Sequence, residues 1–438
     1  MSTIELIKSH MILDSRGNPT IETVIKPKGV DRTVRASVPS GASTGKDEAL
    51  ELRDKDPNRW NGKGVEKALA NIRNEIFPEI SSINIFDQLK LDQKLIDLDG
   101  TENKSRLGAN AILSVSLAVA KAAAEAKNLP LFKYIAELYG EPNPHILPIP
   151  MVSVIEGGTD FAGPVKFQSI MVFTTKEISY SESLRIIAEI YQGIRKYISS
   201  KNYEIGVGPE GGMVPRINSH MKGNKDPLEF MNVLIEFCVN GIVAAGYEPG
   251  EDVGIGLDWA ASIYYMDELY RFDKELSLTS SELLKMHLDQ LRRYPIFMLE
   301  DPFSELDIPS WKDLNTQKPK NVILVGDDLT ATNPKIIRKY SDGLIQGATV
   351  APTHVGTLSE TLEAIKVLRE IGQLPVTTHR SNETEDSFIS HLSVGTNIPL
   401  FKGGGILRGE RVAKYNELLR IGELLGGDSS FAHLDVWD

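Results

Sequence analysis

The segment Val253-Gly254-Ile255-Gly256-Leu257-Asp258 is a short apolar run that ends in a carboxylate. Ile296-Phe-Met-Leu-Glu300 and Val322-Ile-Leu-Val-Gly-Asp327 have the same form, and residues 343–350 are a fourth apolar stretch. Continuous apolar runs are typical of parallel strands that are buried on both faces. Roughly eight such units in about 290 residues suit a (β/α)₈ barrel, which typically needs ~250 residues. We therefore predict a (β/α)₈-type barrel rather than an open sheet.

The chain before this barrel has a different pattern. Residues 3–38 read as short strands joined by a turn at Asp14-Ser-Arg-Gly-Asn-Pro19, while residues 64–77 and 109–127 carry apolar residues at helical spacing. This order predicts a small α+β domain. Four prolines punctuate the connector that follows, at positions 142, 144, 148 and 150. We expect a first domain over residues 1–142 and the barrel domain over residues 143–438.

Composition excludes several classes of protein. The chain has 438 residues, of which 41% are hydrophobic, and a formal charge of -12. Such an acidic surface repels nucleic acid and anionic membranes, so we expect neither as a partner. The single cysteine, Cys238, excludes an internal disulfide and a zinc site built from cysteine pairs. With no signal-peptide pattern and no run of 18 apolar residues, we expect a cytoplasmic protein.

The carboxylates that end the apolar runs suggest a metal site. In a barrel the C-terminal ends of the strands converge on one mouth, so Asp258, Glu300 and Asp327 would meet there. Three acids held together need a cation between them, and ligands that are all oxygen favour Mg²⁺ or another hard divalent ion. The alternative is that each acid caps the turn that follows its strand, which for one residue is as good an explanation but for three is a poor one.

A basic cluster lies near the C-terminus. His379-Arg380-Ser381 follows the strand-like Leu374-Pro-Val-Thr-Thr, and Lys402 precedes three glycines. Late strands of barrels often hold a phosphate, and arginine offers it a planar fork of donors. The alternative is a surface salt-bridge cluster. Together with a metal, these residues predict a small phosphorylated carboxylic acid as the ligand.

Two glycine-rich stretches resemble nucleotide-binding motifs but lack their context. Gly206-Val-Gly208-Pro-Glu-Gly211 fits the dinucleotide fingerprint, yet Pro215 follows and no helix is predicted to begin there. Gly41-Ala-Ser-Thr-Gly45-Lys46 is one residue short of a P-loop and continues with Asp47. We expect a polar loop at the second stretch and no nucleotide site at either.

Longer motifs along the whole chain resemble the enolase family. In the N-terminal part they are Asp14-Ser-Arg-Gly-Asn-Pro-Thr, Pro39-Ser-Gly-Ala-Ser-Thr-Gly45, Leu98-Asp-Gly-Thr-Glu-Asn-Lys-Ser and Leu107-Gly-Ala-Asn-Ala-Ile-Leu113. In the C-terminal part they are Glu300-Asp-Pro-Phe303, Gly326-Asp-Asp-Leu-Thr330, His379-Arg-Ser381, Glu383-Thr-Glu-Asp386 and Glu410-Arg411. The resemblance implies an enolase-type barrel behind a small α+β domain, Mg²⁺ as cofactor, and assembly as a homodimer or homo-octamer.

The resemblance also implies a role for individual residues. Asp258, Glu300 and Asp327 would hold the tightly bound Mg²⁺, and Ser40 would help to hold a second one. Lys402 would face the substrate carboxylate, and Glu210 would be the acid that helps the hydroxyl group to leave. The remaining substrate contacts implied by the resemblance are Gln168, His379, Arg380 and Ser381, of which the last two would hold the phosphate.

The sequence departs from the family pattern at positions that take part in the family's reaction. Where enolases have Ile-Asn-Gly-Gly-Ser-His, this chain has Ile155-Glu-Gly-Gly-Thr-Asp160, so Asp160 replaces a histidine. Ser169 replaces a catalytic glutamate, and Pro209 replaces the aspartate that precedes Glu210. Ala351 stands where the proton-abstracting lysine is expected. Asp160 and Ser169 remain candidate substrate-binding residues in a reshaped pocket.

Loss of the lysine matters because a positioned general base contributes typically ~10² to 10⁴ in rate. His354 is the first candidate to replace it and Lys166 the second, although His354 could be a loop residue and Lys166 a barrel-wall or surface lysine. We therefore predict a Mg²⁺-dependent lyase that acts on 2-phosphoglycerate or on a related phosphorylated or phosphonylated hydroxy acid. The alternatives are a non-catalytic binding or regulatory protein that keeps the pocket, and a slow enolase.

Overall fold

The structure is a computed structural model that describes residues 2–41, 45–157, 166–217, 227–272, 276–340 and 342–437. The chain begins with a three-stranded antiparallel sheet in the order β1 (Ile4–Leu13), β2 (Pro19–Pro27) and β3 (Val34–Ser37). Asp14 shapes the first turn, because its Oδ1 accepts the backbone N–H groups of Arg16 and Asn18, both at 2.9 Å.

The helices of the N-terminal domain follow the sheet. They are α1 (Glu66–Asn71), α2 (Phe77–Ile80), α3 (Gln88–Asp99), α4 (Ala109–Ala126) and α5 (Leu131–Tyr139), with a π-helical turn at Ile72–Ile76 and a 3₁₀ turn at Trp60–Gly62. The π turn leads directly to Pro78, which has no N–H to continue the α-helical ladder. By length and composition α4 could span a membrane, but 83% of it is buried inside the protein. Its apolar sequence is thus accounted for by packing, mainly against β2 and β3.

The second domain contains fifteen strands and nine helices among the described residues. The strands are β4 (Ile146–Leu147), β5 (Ile149–Glu156), β6 (Ser169–Thr174), β7 (Ile205–Val207), β8 (Met213–Pro215), β9 (Val253–Asp258), β10 (Tyr265–Met266), β11 (Leu269–Arg271), β12 (Ser277–Leu278), β13 (Ile296–Glu300), β14 (Ile323–Gly326), β15 (Gly347–Val350), β16 (Leu374–Thr378), β17 (Leu400–Gly404) and β18 (Ser430–Phe431). The helices are α6 (Tyr180–Ser200), α7 (Pro227–Ala244), α8 (Ser280–Arg293), α9 (Ile308–Gln317), α10 (Pro334–Lys339), α11 (Pro352–Val355), α12 (Leu358–Glu370), α13 (Phe388–Gly395) and α14 (Gly409–Leu425). Short 3₁₀ turns lie at Ala261–Tyr264, Gly426–Asp428 and Asp435–Trp437.

Eight of these strands close into a barrel, so the predicted fold class is confirmed. Their order is β5, β6, β9, β13, β14, β15, β16 and β17, and parallel pairing of β17 with β5 completes the ring. The barrel departs from a regular one at β6, which runs antiparallel to both β5 and β9. The apolar run at residues 343–350 is a strand over its last four residues alone.

Two other features of the barrel bear on the site. The glycine-rich stretch 206–211 spans the end of β7 and the loop that leads to β8, and no helix begins between residues 208 and 217, as the sequence predicted. The interior below the mouth is filled by apolar side chains such as Met151, Met171 and Met298. Because this part of the described interior is packed, the predicted acids can meet at the mouth of the barrel and not below it.

Candidate functional site

A polar cavity lies at the C-terminal mouth of the barrel. It brings together eight of the residues that the sequence singled out, which are Gln168, Glu210, Asp258, Asp327, His379, Arg380, Ser381 and Lys402. Glu48, Ala260, Asp301, Asp328 and Thr378 complete its lining. Acidic and basic groups thus share one enclosure that receives residues from both domains.

Lys402 binds two of the predicted metal ligands. Its Nζ on β17 lies 2.6 Å from Asp258 Oδ2 at the end of β9 and 2.6 Å from Glu300 Oε1 at the end of β13. Burial alone would lower the pKa of Lys402, but the neighbouring carboxylates raise it well above its usual value. Burial and the charge of Asp258 likewise raise the pKa of Glu300 well above the ordinary range. One ammonium group is therefore left to balance several buried acids.

This cluster fits a divalent cation by the chemistry of its donors. The second oxygen of Glu300, Oε2, is buried and has no hydrogen-bond partner among the described residues. A buried carboxylate oxygen without a partner is costly, and a hard cation is the ligand that oxygen donors prefer. Asp258, Glu300 and Asp327 all offer oxygen, so the three could hold Mg²⁺.

A second group of acids lies beside the first. Ligand oxygens of Asp301, Asp327 and Asp328 lie within 4.8 Å of one another. However, Asp301 already uses both oxygens, because they accept the backbone N–H groups of Asp327 at 2.9 Å and of Asp328 at 2.8 Å. Asp301 therefore holds the turn that presents Asp327, which is a supporting role rather than a ligand's.

The segment that follows β16, His379-Arg380-Ser381, is bound by a side chain from α14. The guanidinium of Arg411, fully buried on α14, donates to the carbonyl oxygens of Arg380 at 2.5 Å and Ser381 at 2.8 Å. It also donates to His379 Nδ1. Because arginine is always a donor, Nδ1 is the acceptor and the proton of the neutral ring lies on Nε2. That Nε2 lies 3.7 Å from Glu210 Oε2.

The charge of the His379 ring is set by its surroundings. Burial and the positive charge of Arg411 hold the pKa of His379 well below its usual value. The ring is therefore neutral at physiological pH and can donate toward the cavity through Nε2 without adding a charge.

Arg380 has an acidic partner that comes from the N-terminal domain. Its NH2 group donates to Glu48 Oε2 at 2.8 Å, and Glu48 Oε1 accepts the backbone N–H of Gly45 at 2.8 Å. Behind Arg380, its backbone N–H is fixed by Glu383, whose other oxygen lies 2.8 Å from Lys414 Nζ. The backbone of Arg380 is therefore anchored by Glu383, while its guanidinium group already pairs with the carboxylate of Glu48. An anion that binds to this guanidinium would compete with Glu48.

Glu210 lies on the loop between β7 and β8. Its Oε1 accepts a hydrogen bond of 2.6 Å from Gln168 Nε2. Its backbone N–H donates to both oxygens of Glu156, the last residue of β5, at 2.9 and 3.1 Å. Burial and the charge of Glu210 raise the pKa of Glu156 from 4.5 to about 8.

Comparison with known proteins identifies the family. Residues 4–135 match the family described as "Enolase, N-terminal domain", and residues 144–437 match "Enolase, C-terminal TIM barrel domain". The protein named Enolase from Anaplasma phagocytophilum (strain HZ) is 41% identical over 430 residues, which cover 98% of this chain and 96% of that protein. This chain belongs to the enolase family.

Ala351, which the family resemblance aligns with the lysine of enolases, directly follows β15 and does not line the cavity with Lys402. His354, on α11, does not line the cavity with Lys402; its Nε2 lies 3.9 Å from Glu48 Oε1 and 3.9 Å from Asp327 Oδ1. Its Nδ1 lies 2.8 Å from Thr332 Oγ1. Because Nε2 faces two carboxylates, the neutral ring keeps its proton there and accepts the Thr332 hydroxyl at Nδ1.

The remaining predicted residues lie apart from the cavity lining. Ser169 is fully buried at the start of β6, opposite Asp258, and its Oγ has no partner among the described residues. Ser40 donates its hydroxyl to Glu51 Oε2 at 3.0 Å and is not among the residues that line the cavity. Lys166 is half-buried and does not line the cavity either. Asp160 lies outside the described residues.

Sequence reasoning missed three residues that the structure adds to this enolase-family site. They are Glu48, which contacts Arg380, Glu156, which supports Glu210, and Asp301, which supports Asp327. A signal for Asp301 was present, because an acid directly follows Glu300. Glu156 stands where the family pattern has asparagine, and such a change in a buried strand end could have marked it. Nothing local marked Glu48, since its partner is 332 residues away.

Proposed function

We propose that this chain is a Mg²⁺-dependent lyase of the enolase type, which removes water from 2-phosphoglycerate or from a related phosphorylated or phosphonylated hydroxy acid. The observation that carries the proposal is a cavity that is lined both by acids that could hold a cation and by Arg380 with Ser381. Lys402 and Glu210 also line it. Family membership supports the same reaction class.

The cation would be held by Asp258, Glu300 and Asp327. When bound, it would supply positive charge that stabilises the negative charge developing on the substrate carboxylate. Arg380 would bind the phosphate through its fork of donors, after exchanging Glu48 for the ligand. Lys402 would face the substrate carboxylate.

The reaction itself needs an acid and a base. A base takes the proton from C2, the electron pair of that C–H bond becomes the C2–C3 double bond, and the C3–O bond breaks with its electrons on oxygen. Glu210 would give that oxygen the proton with which it leaves as water. Gln168 orients Glu210 for this step through its 2.6 Å hydrogen bond to Oε1.

The base that takes the proton from C2 requires a rearrangement of the site. His354 can serve if Glu48, which lies 3.9 Å from its Nε2, moves aside and the ring proton shifts to Nδ1. Burial and the charge of Arg380 lower the pKa of His354, which keeps the ring neutral and so able to accept a proton once the tautomer changes.

A second candidate function is a non-catalytic binding protein that keeps the metal and phosphate pocket. Two observations favour it: Ala351 has no group that can take a proton, and His354 is placed outside the cavity lining. In either case we propose a cytoplasmic homo-oligomer, a dimer or an octamer, which sedimentation of the purified protein would test.

The deciding experiment follows the absorbance of the enol phosphate when purified protein meets 2-phosphoglycerate and Mg²⁺. We expect turnover by the wild type that a chelator abolishes, and a gain of about 10²-fold or more in Ala351→Lys, since a positioned base is worth that much. Ala351→Met is the matched control, because it adds a chain of similar length without an amine. It should show no gain.

The other outcomes separate the two candidate functions. A wild type without turnover, whose melting temperature nevertheless rises with 2-phosphoglycerate and Mg²⁺ together, would favour the binding protein. If neither turnover nor thermal stabilisation appears with any phosphorylated or phosphonylated hydroxy acid, both proposals fail. Activity in the wild type that His354→Ala leaves unchanged would remove His354 from the mechanism.

A further inference from the structure

Glu156 lies under the loop that carries Glu210 and is buried there with 2% of its surface exposed. Its Oε1 accepts the backbone N–H of Glu210 at 2.9 Å, and its Oε2 accepts the backbone N–H of Gly212 at 3.0 Å. One carboxyl group thus binds the loop on both sides of Gly211, which adopts a left-handed conformation with φ of 93°.

The carbonyl groups of the same loop have partners of a different kind. The Gly208 carbonyl oxygen accepts from Arg408 Nε at 3.1 Å, and the Glu210 carbonyl accepts from Gly405 N at 2.8 Å. These contacts are distributed over several elements. Among the described residues, by contrast, Glu156 is the side chain that receives the N–H groups of Glu210 and Gly212.

The glycines of the loop fit closely around this carboxyl group. A Cβ atom placed on Gly208 would lie 2.2 Å from Glu156 Oε2, and one on Gly212 would lie 2.8 Å from Glu156 Cβ. Both distances are too short for a real contact. The loop therefore has its glycines where the backbone passes against Glu156, as expected when backbone must approach another group closely.

We propose that Glu156 is a positioning residue that clamps the 207–212 loop and so aims the carboxyl group of Glu210 at its partner Gln168. The inference rests on the proposed role of Glu210 as the acid of the reaction. Two departures from the family pattern meet here: an acid is gained at Glu156 where asparagine is usual, and an acid is lost at Pro209, which itself cannot donate a backbone hydrogen bond.

The test uses the full-length protein with two variants and one matched control. Glu156→Gln turns an amide NH₂ toward the loop, so one acceptor of a backbone N–H is lost; this holds even where the wild-type carboxyl group is protonated, because its hydroxyl oxygen still accepts and an amide nitrogen does not. Gly208→Ala keeps the carboxyl group but pushes it away, because Oε2 is the flexible end of the side chain. Gly206→Ala is the control, since its Cβ would meet nothing nearer than 3.7 Å.

The first measurement is hydrogen–deuterium exchange of the peptide that contains residues 207–212, without substrate. We expect at least about tenfold faster exchange in Glu156→Gln and in Gly208→Ala, as lost protection of a local unit predicts, and no change in the control. Unchanged exchange in both variants would overturn the clamp. This readout is independent of catalysis, so it decides the clamp even if the wild type turns over no substrate and the proposed function fails.

The second measurement distinguishes an effect on the orientation of the Glu210 carboxyl group from an effect on the stability of the loop alone. With 2-phosphoglycerate, both variants should lower kcat about 10- to 100-fold with KM changed less than about twofold, because Glu210 acts on the leaving hydroxyl and not on ligand binding. Faster exchange with an unchanged kcat would overturn the positioning role. If Glu156→Gln does not fold, Gly208→Ala carries both measurements.

Discussion

The buried carboxyl group of Glu156 makes the stability of the protein depend on pH. Burial and Glu210 raise its pKa from 4.5 to about 8, so the folded protein keeps a proton that the unfolded chain releases at lower pH. The folded state then binds more protons between these two values, and the free energy of unfolding falls as pH rises through that interval. The loss is complete once the pH exceeds the folded-state pKa.

Replacing Glu156 by glutamine should remove this dependence. We expect the melting temperature of Glu156→Gln, relative to that of the wild type, to increase steadily from pH 4.5 to pH 8. Both proteins are scanned at several pH values in the same buffers with chelator present. A difference between them that stays constant over the whole interval would contradict the raised pKa.

For the individual residues of the site, the acids at the strand ends were predictable from the sequence and their contact partners were not. Asp258, Glu300 and Asp327 could be placed together because acids that end parallel barrel strands converge on one mouth. The contact of Lys402 with Asp258 spans 144 residues and depends on the stagger of β17 against β9, which periodicity does not encode. Likewise, the position of His354 three residues after Ala351 could not predict that its ring lies beside Glu48, which belongs to the N-terminal domain.

Among the elements, α14 supports the segment 379–381 at the edge of the site. Arg411, two residues into this helix, donates to the carbonyl oxygens of Arg380 and Ser381. Arg411→Lys should lower the free energy of unfolding by about 1–3 kcal/mol, because one ammonium group cannot span acceptors that the planar fork reaches together. Urea denaturation measures the change.

The same helix offers the control for this variant. Arg420 pairs with Glu417 on the surface, with 64% of its side chain exposed. Arg420→Lys should change the denaturation midpoint very little, since exposed ion pairs contribute little. Equal effects of the two substitutions would mean that the fork of Arg411 has no special part in holding the 379–381 turn.

The elements also show where apolar patterns are ambiguous. Residues 343–350 read as one buried strand, yet β15 begins at Gly347, because residues 342–344 form a turn in which Gly343 has a left-handed φ of 85°. The reversed direction of β6 was not predictable from its composition. A strand buried on both faces has the same apolar sequence whichever way it runs.

For the molecule as a whole, the two domains form one site rather than two independent units. Glu48 from the N-terminal domain contacts Arg380. Lys121 on α4 lies 2.7 Å from Asp386, five residues beyond Ser381. Asp92 on α3 accepts the backbone N–H of Ser359 at the start of α12. These contacts predict that the N-terminal domain and the barrel mouth respond together to a ligand.

The far end of the barrel is closed by the end of the chain. Trp437 stacks on Phe173 of β6 with ring centroids 4.7 Å apart and meets Phe297 of β13 edge-on at 6.3 Å. Together with Leu434 and Ala432 it belongs to the apolar cluster that fills the barrel. The tail therefore completes the core instead of lying on the surface.

Removal of this ring should weaken the whole barrel without disturbing the distant mouth. Trp437→Ala is expected to lower the free energy of unfolding by about 3–5 kcal/mol, the usual cost of truncating a buried aromatic side chain. The neighbouring Val436→Ala, at a position 38% exposed, is the control and should change it by less than about 0.5 kcal/mol. Mg²⁺ binding, measured by calorimetry, should stay the same in both variants because apolar layers separate the ring from the acids. Weakened Mg²⁺ binding in Trp437→Ala alone would show instead that the bottom of the barrel and its mouth are coupled through those layers.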